Sequence, residues 1–223
     1  RHLAKAAEFQ GKNQLSQAVE QYQLAIGLQP DNAKNHHALG LLFSELGQAE
    51  QALGPYRRAI ELQPDCADAH FNCGNAHYAL GQASDAKSAF QRATELDPEL
   101  AAAHFNLGQV AQDEGDFLTA AQAYKRAVDL DGDYTDAMVN LGLMLRDLGE
   151  TALAEECFGH ILHGKPGQPM AGVNMAKLQL ERDDPAAAEP TCRPVLGAHP
   201  NHPATLLNLG AALQAQNGVA DAV

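Results

Sequence analysis

The chain has 223 residues, 45% of them apolar, with 28 acidic against 15 basic side chains and a formal net charge of −13. That is enough apolar content for a substantial core, and the acidic balance argues against nucleic acid or an anionic membrane surface as a partner. No apolar run approaches the ~20 residues a membrane-spanning helix needs, so no membrane partner is expected either.

The first predicted elements, in residues 1–32, introduce a pattern that returns at intervals of 34 residues to the end of the chain. Stepping from Ala6 gives Gly40, Gly74, Gly108, Gly142, Ala176 and Gly210. Stepping from Ala18 gives Ala52, Ala86, Ala120, Ala154, Ala188 and Ala222. Tyr22 is followed by Tyr56, Phe90, Tyr124, Phe158 and Cys192, and Pro30 by Pro64, Pro98, Gly132, Pro166 and Pro200. Four interlocking ladders with one period mark a repeat protein.

Each ladder has a physical reading. In the copy at 101–134, His104, Leu107, Gly108 and Ala111 follow the i, i+3, i+4, i+7 spacing of an amphipathic helix A, about residues 101–114. Ala120, Tyr124, Ala127 and Val128 do the same for a helix B at about 118–130. The Gly-or-Ala slots predict close approach of the two helix backbones, with the aromatic filling the space beside it. Gly47, Gly81, Gly115 and Gly149, and elsewhere Asn13, Asp183 and Asn217, are read as left-handed residues that end helix A. The prolines end helix B.

In chain order, a partial repeat at 1–32 precedes full repeats at 33–66, 67–100, 101–134, 135–168 and 169–202 and a truncated one at 203–223. Gly54-Pro55 predicts a kink in the B helix of the second copy. The copy at 135–168 ends in the looser HGKPGQP. In the copy at 169–202, Pro185 falls in the first turn of helix B, where it is tolerated, but Pro190 and Pro194 predict a bent or shortened helix. Leu206, Leu209, Gly210 and Leu213 predict a last A helix, and the sequence stops inside what should be its B helix. Repeat arrays end in polar caps, so the chain is expected to be a fragment of a longer protein.

These slots resemble the tetratricopeptide repeat (TPR) family over nearly the whole chain. The resemblance implies an all-α, right-handed superhelical solenoid forming one domain over residues 1–223, and a non-catalytic protein–protein interaction scaffold. Two departures stand out. The slot usually given to Trp holds His2, His36, His70, His104, Met138, Gly172 and Leu206, and Lys5 replaces the leucine expected in the first copy.

One more ladder is not demanded by packing. Asn72, Asn106, Asn140, Asn174 and Asn208 stand two residues before the glycine slot, which Ala4 and Ala38 occupy in the first two copies. The position lies off the core stripe of helix A, on the expected inner face. Neighbouring helices stand about 8–10 Å apart and an extended chain advances about 3.3–3.6 Å per residue. One asparagine would therefore meet a bound extended peptide about every three residues. An amide offers a donor and an acceptor together, which suits a peptide bond and reads no side chain. The competing reading has these asparagines bonding to neighbouring helices and fixing the stacking. The row, with AHFNLG at 103–108, is similar to the TPR superhelix of O-GlcNAc transferases. That likeness implies peptide holding, and with it a second function: the substrate-recruiting arm of a larger glycosyltransferase. A third is a structural module that self-associates through uncapped ends.

On the same face Glu45, Asp68, Asp113, Asp136, Asp147 and Glu181 outnumber Lys34, Arg146 and Lys177, favouring a basic or neutral partner segment. The places where some TPR proteins carry Lys and Arg for a C-terminal carboxylate hold His37, Leu41, Phe71 and Asn75, so that clamp is not expected. His70, Cys73 and His77, with Cys66 nearby, have a zinc-like spacing, but they fill core slots and are read as packing. No phosphate loop, GxSxG, HExxH or CxxC motif occurs, so neither cofactor nor catalysis is expected from these residues. Cys66, Cys73, Cys157 and Cys192 show no paired spacing and are read as reduced thiols of a cytoplasmic protein.

Overall fold

The computed structural model describes residues 2–220, which form thirteen α-helices and no strand. The chain divides into two compact units, Arg1–Glu114 and Gly115–Val223. The first holds α1 (His2–Gly11), α2 (Leu15–Leu28), α3 (Ala33–Glu45), α4 (Ala49–Leu62), α5 (Ala67–Ala79), α6 (Ala83–Leu96) and α7 (Ala101–Asp113). The second holds α8 (Phe117–Leu130), α9 (Thr135–Asp147), α10 (Thr151–Gly164), α11 (Pro169–Glu181), α12 (Pro185–Ala198) and α13 (Pro203–Ala220). Odd-numbered helices are A helices and even-numbered ones are B helices. Within each unit every helix packs on its neighbours in sequence, and successive A helices also touch: α3 with α5 and α5 with α7, then α9 with α11 and α11 with α13.

The turns from A to B follow from one residue each. Gly47, Gly81, Gly115 and Gly149 have φ between 71° and 83°, and Asn13 and Asp183 have φ of 55° and 59°. A left-handed residue after the helix lets two backbone N–H groups reach back to carbonyls that would otherwise lack partners. Gly47 N donates to the Ser44 carbonyl at 3.0 Å and Gln48 N to the Phe43 carbonyl at 2.8 Å. Asp183 N and Asp184 N make the same pair to Leu180 and Gln179. The expected turn at Asn217 is absent, because α13 runs on to Ala220. In the other copies a B helix folds back on A; among the described residues none packs there, and the helical hydrogen bonds simply continue. Ala222 lies outside the described residues.

The core is a series of small clusters rather than one mass. Ala18, Val19, Leu39 and Leu42 form one, Ala52, Leu53, Tyr56, Cys73 and Ala76 the next, and Ala86, Phe90 and Val110 another. In the second unit Met138, Val139, Phe158, Ile161 and Leu178 form one, followed by Ala176, Ala188, Cys192 and Ala212. Tyr56, Phe90, Tyr124 and Phe158 are the largest fully buried side chains. The glycine slot is explained by these rings. A Cβ on Gly40 would stand 2.5 Å from the Tyr56 ring, one on Gly74 2.7 Å from Phe90, and one on Gly142 2.7 Å from Phe158. At the glycine slot the close approach is therefore of helix B's aromatic face to helix A's backbone.

The interior prolines do not break their helices. The helix α12 spans 14 residues, as α2, α4, α6, α8 and α10 do, so Pro190 and Pro194 do not shorten it. The helix α4 likewise runs unbroken through Pro55. Both elements are held by packing on two A helices, which offsets the loss of single backbone bonds. Polar rungs tie B helices to the end of the following A helix: Lys87 to Glu114 at 2.5 Å, Glu155 to Arg182 at 2.6 Å, and Glu189 to Gln216 at 3.1 Å. Being exposed, the ion pairs among them contribute at most about 1 kcal/mol each.

Candidate functional site: the asparagine face of the A helices

Most residues of the asparagine row bond to the preceding A helix. In the first unit Asn72 Nδ2 donates to His37 Nε2 at 3.0 Å, linking α5 to α3. Asn106 Nδ2 donates to Asn75 Oδ1 at 2.6 Å, linking α7 to α5. The Tyr78 hydroxyl adds a second link, donating to Asp113 Oδ2 at 2.7 Å. That bond to a carboxylate, helped by burial, pushes the Tyr78 pKa up to about 12, so the phenol keeps its proton. In the second unit Asn208 Nδ2 donates to the Val173 carbonyl at 3.0 Å. Asn174 is buried and the most committed: its Nδ2 donates to the Met170 carbonyl and its Oδ1 accepts from Arg146 Nη1, both at 2.8 Å.

Helix stitching does not exhaust these amides. An asparagine side chain carries two N–H donors and two acceptor lone pairs. Asn72, Asn106, Asn140 and Asn208 are half-buried, and in Asn72, Asn106 and Asn208 the bond just described engages one donor. A donor and an acceptor are left on a partly open face.

The sequence reading weighed the slot immediately before the row only as a place for a carboxylate clamp. Phe71, Phe105, Val139, Val173 and Leu207 put an apolar side chain beside each asparagine, and Phe71 and Phe105 are only half-buried. The signal was present as another ladder of the same period. His37 stands in this slot in the second copy, with its ring 5.9 Å from Tyr56. Burial lowers its pKa, an effect only partly offset by the nearby Asp68 carboxylate, so the imidazole is kept neutral.

The charges of this face are partly internal. Arg146 pairs with Asp147 as well as Asn174, Lys177 pairs with Glu181, and Asp113 accepts from Tyr78. Glu45, Asp68 and Asp136 remain exposed and carry the acidic bias.

The zinc-like set has other occupations. His70 Nε2 bonds the Pro64 carbonyl at 3.0 Å, and His77 Nδ1 pairs with Gln82 Oε1 at 2.5 Å. His36 bonds the Pro30 carbonyl at 2.8 Å and His104 the Pro98 carbonyl at 3.1 Å, so three repeats share one staple from helix A to the end of the preceding B helix. A histidine six residues after a proline in three copies was its sequence signal. Among the described residues no group of three or more side chains could hold a metal ion, and none of their helices is long and apolar enough to cross a membrane.

Family models of the TPR repeat match residues 9–47 and 40–81, and tetratricopeptide repeat models match 74–135, 105–169 and 169–194. No curated protein matches the sequence. Among solved structures, YrrB, described as a TPR protein with an unusual peptide-binding site, is similar at 24% identity and a TM-score of 0.73, over 83% of this chain and 95% of its own. Pseudomonas aeruginosa pilF is similar at 18% identity and a TM-score of 0.74, over 96% of both chains. MamA is similar at 23% identity and a TM-score of 0.68, over 71% of this chain and 92% of its own. At these identities the likeness is one of fold. The family models together run from residue 9 to residue 194 in the same helix-turn-helix register, and the chain belongs to the tetratricopeptide repeat family.

Proposed function

We propose that the chain is a protein–protein interaction scaffold that holds extended peptide segments against its A-helix face, with Asn72 and Asn106 in the first unit and Asn140, Asn174 and Asn208 in the second as backbone contacts. The observation that carries this reading is the spare hydrogen-bonding capacity of the half-buried amides of Asn72, Asn106 and Asn208 on the A-helix face. A peptide bond needs one donor and one acceptor, and the adjacent Phe71 or Phe105 gives a peptide side chain an apolar surface to cover. Asn174 has the least spare capacity, and Arg146 would present the polar group at that rung. The description of YrrB as a peptide-binding TPR protein supports the reading by analogy. The exposed Glu45, Asp68 and Asp136 favour neutral or basic segments. The four unpaired cysteines fit a reducing compartment such as the cytoplasm.

The test is a peptide array probed with the chain and with the Asn106→Ala, Asn140→Ala, Asn174→Ala triple variant, each checked for helicity by circular dichroism. The expected result is retained helicity with loss of most bound peptides. Equal binding by the variant would assign the asparagines to repeat stacking alone.

A further inference from the structure

The asparagine row begins only at the third copy; in the second, Ala38 holds its slot and His37 stands where the next two copies have phenylalanine. A pocket of about 390 Å³ opens there between α3 and α5. Ala59 and Ala69 line it, and Lys34, His37, Gln63 and Asp68 supply its polar groups. The volume lies at the lower end of ligand sites, which span about 300–1,000 Å³, and is ample for one side chain.

His37 is fixed by its neighbours rather than by any ligand. Its ring stands against Tyr56, and its Nε2 accepts from Asn72. An imidazole that accepts at Nε2 while neutral carries its proton on Nδ1, and among the described residues no hydrogen-bond partner meets Nδ1. The pocket thus offers a fixed N–H donor from His37, a carboxylate acceptor from Asp68 and an ammonium from Lys34. The two charges are opposite. An acidic occupant meets repulsion from Asp68, a basic one from Lys34, and an apolar one leaves the half-buried His37 N–H without a partner. A carboxamide, neutral and carrying both donor and acceptor, meets all three.

We propose that this pocket is a side-chain subsite for the carboxamide of a glutamine or asparagine in a bound peptide, and that it sets the register of a row that otherwise reads no side chain. The subsite rests on the peptide-holding function proposed above.

A positional-scanning library of end-capped heptapeptides tests it, with the chain and its His37→Phe, Lys34→Ala and Asp68→Ala variants. Phenylalanine fills this slot in the next two copies, so His37→Phe is compatible with the fold. The expected result is a preference for Gln or Asn at one library position by about five- to tenfold, the worth of one or two neutral hydrogen bonds. That preference disappears in His37→Phe, turns toward acidic residues in Asp68→Ala and toward basic residues in Lys34→Ala. Peptide binding without a positional preference, or one that survives His37→Phe, overturns the subsite alone. Failure of the chain to bind any library peptide overturns the peptide-holding function and the subsite with it.

Discussion

The third repeat, in the first unit, and the sixth, in the second, solve one packing problem with different residues. In the third, Gly74 on α5 leaves room for Phe90 on α6, whose ring would stand 2.7 Å from a Cβ. In the sixth, the same two slots hold Ala176 and Cys192, a larger residue against a smaller one, both fully buried. The glycine has moved one turn earlier, to Gly172 on α11, where Val195 of α12 presses into the place a Cβ would take. A larger residue at the glycine slot goes with a smaller one at the aromatic slot, as close packing of a buried facing pair requires.

The strongest way to break this comparison is to remove the large partner. Phe90→Ala should cost about 3–5 kcal/mol, whereas Cys192→Ala removes a single sulfur and should cost about 1 kcal/mol or less. Urea unfolding of both variants reads the difference, and equal losses would refute the division of labour between the two repeats. Next come the small partners. Gly74→Ala and Gly172→Ala should each destabilise by about 1–3 kcal/mol through overpacking. Gly159→Ala, whose Cβ would meet only Met175 Cε at 3.9 Å, should stabilise by about 0.5–1 kcal/mol through helix propensity. Stabilisation by Gly172→Ala would show that the glycine has not moved as described.

A smaller effect lies in the slot held by Ala69, Ala103, Ala137 and Ala171. The second copy has Asn35 there, buried, with no hydrogen-bond partner for its Nδ2. An unpaired buried donor is costly, so Asn35→Ala should stabilise by about 1 kcal/mol, measured as a higher urea midpoint at unchanged slope. The smallest effect is pH-dependent. The folded chain holds His37 below its ordinary pKa of 6.5, so the unfolded chain binds the proton more readily. This contribution to stability is complete above the ordinary value and is lost as pH falls from there through the lowered folded-state pKa. Lowering the pH below 6.5 should therefore destabilise the native chain relative to His37→Phe.

Much of the fold was legible because each repeat signals its geometry locally. Gly47 and Asp183 end their helices for reasons of φ alone, and the spacing of Ala120 and Tyr124 gives helix B directly. What depended on neighbours was not legible. Pro194 reads as shortening its helix until both faces of α12 are packed. Asn217 reads as a turn, but α13 runs through it to Ala220. Asn72 and Asn106 were found as a ladder, but their bonds to His37 and Asn75 come from an adjacent repeat and leave no trace in local pattern. The pocket at His37 was hidden for the opposite reason: it lies in a copy the ladder does not reach, and a search for regularity passes over it.

The claim that this face grips peptide backbone is tested most directly by amide-to-ester scanning of a bound peptide, with affinity followed by fluorescence anisotropy. Each replacement removes one backbone N–H and leaves the side chains unchanged. A-helix spacing of about 8–10 Å predicts that affinity falls at every third position or so, by about three- to tenfold per lost hydrogen bond. If no ester replacement weakens binding while side-chain changes abolish it, the asparagines do not hold the peptide, and this face reads sequence by other means.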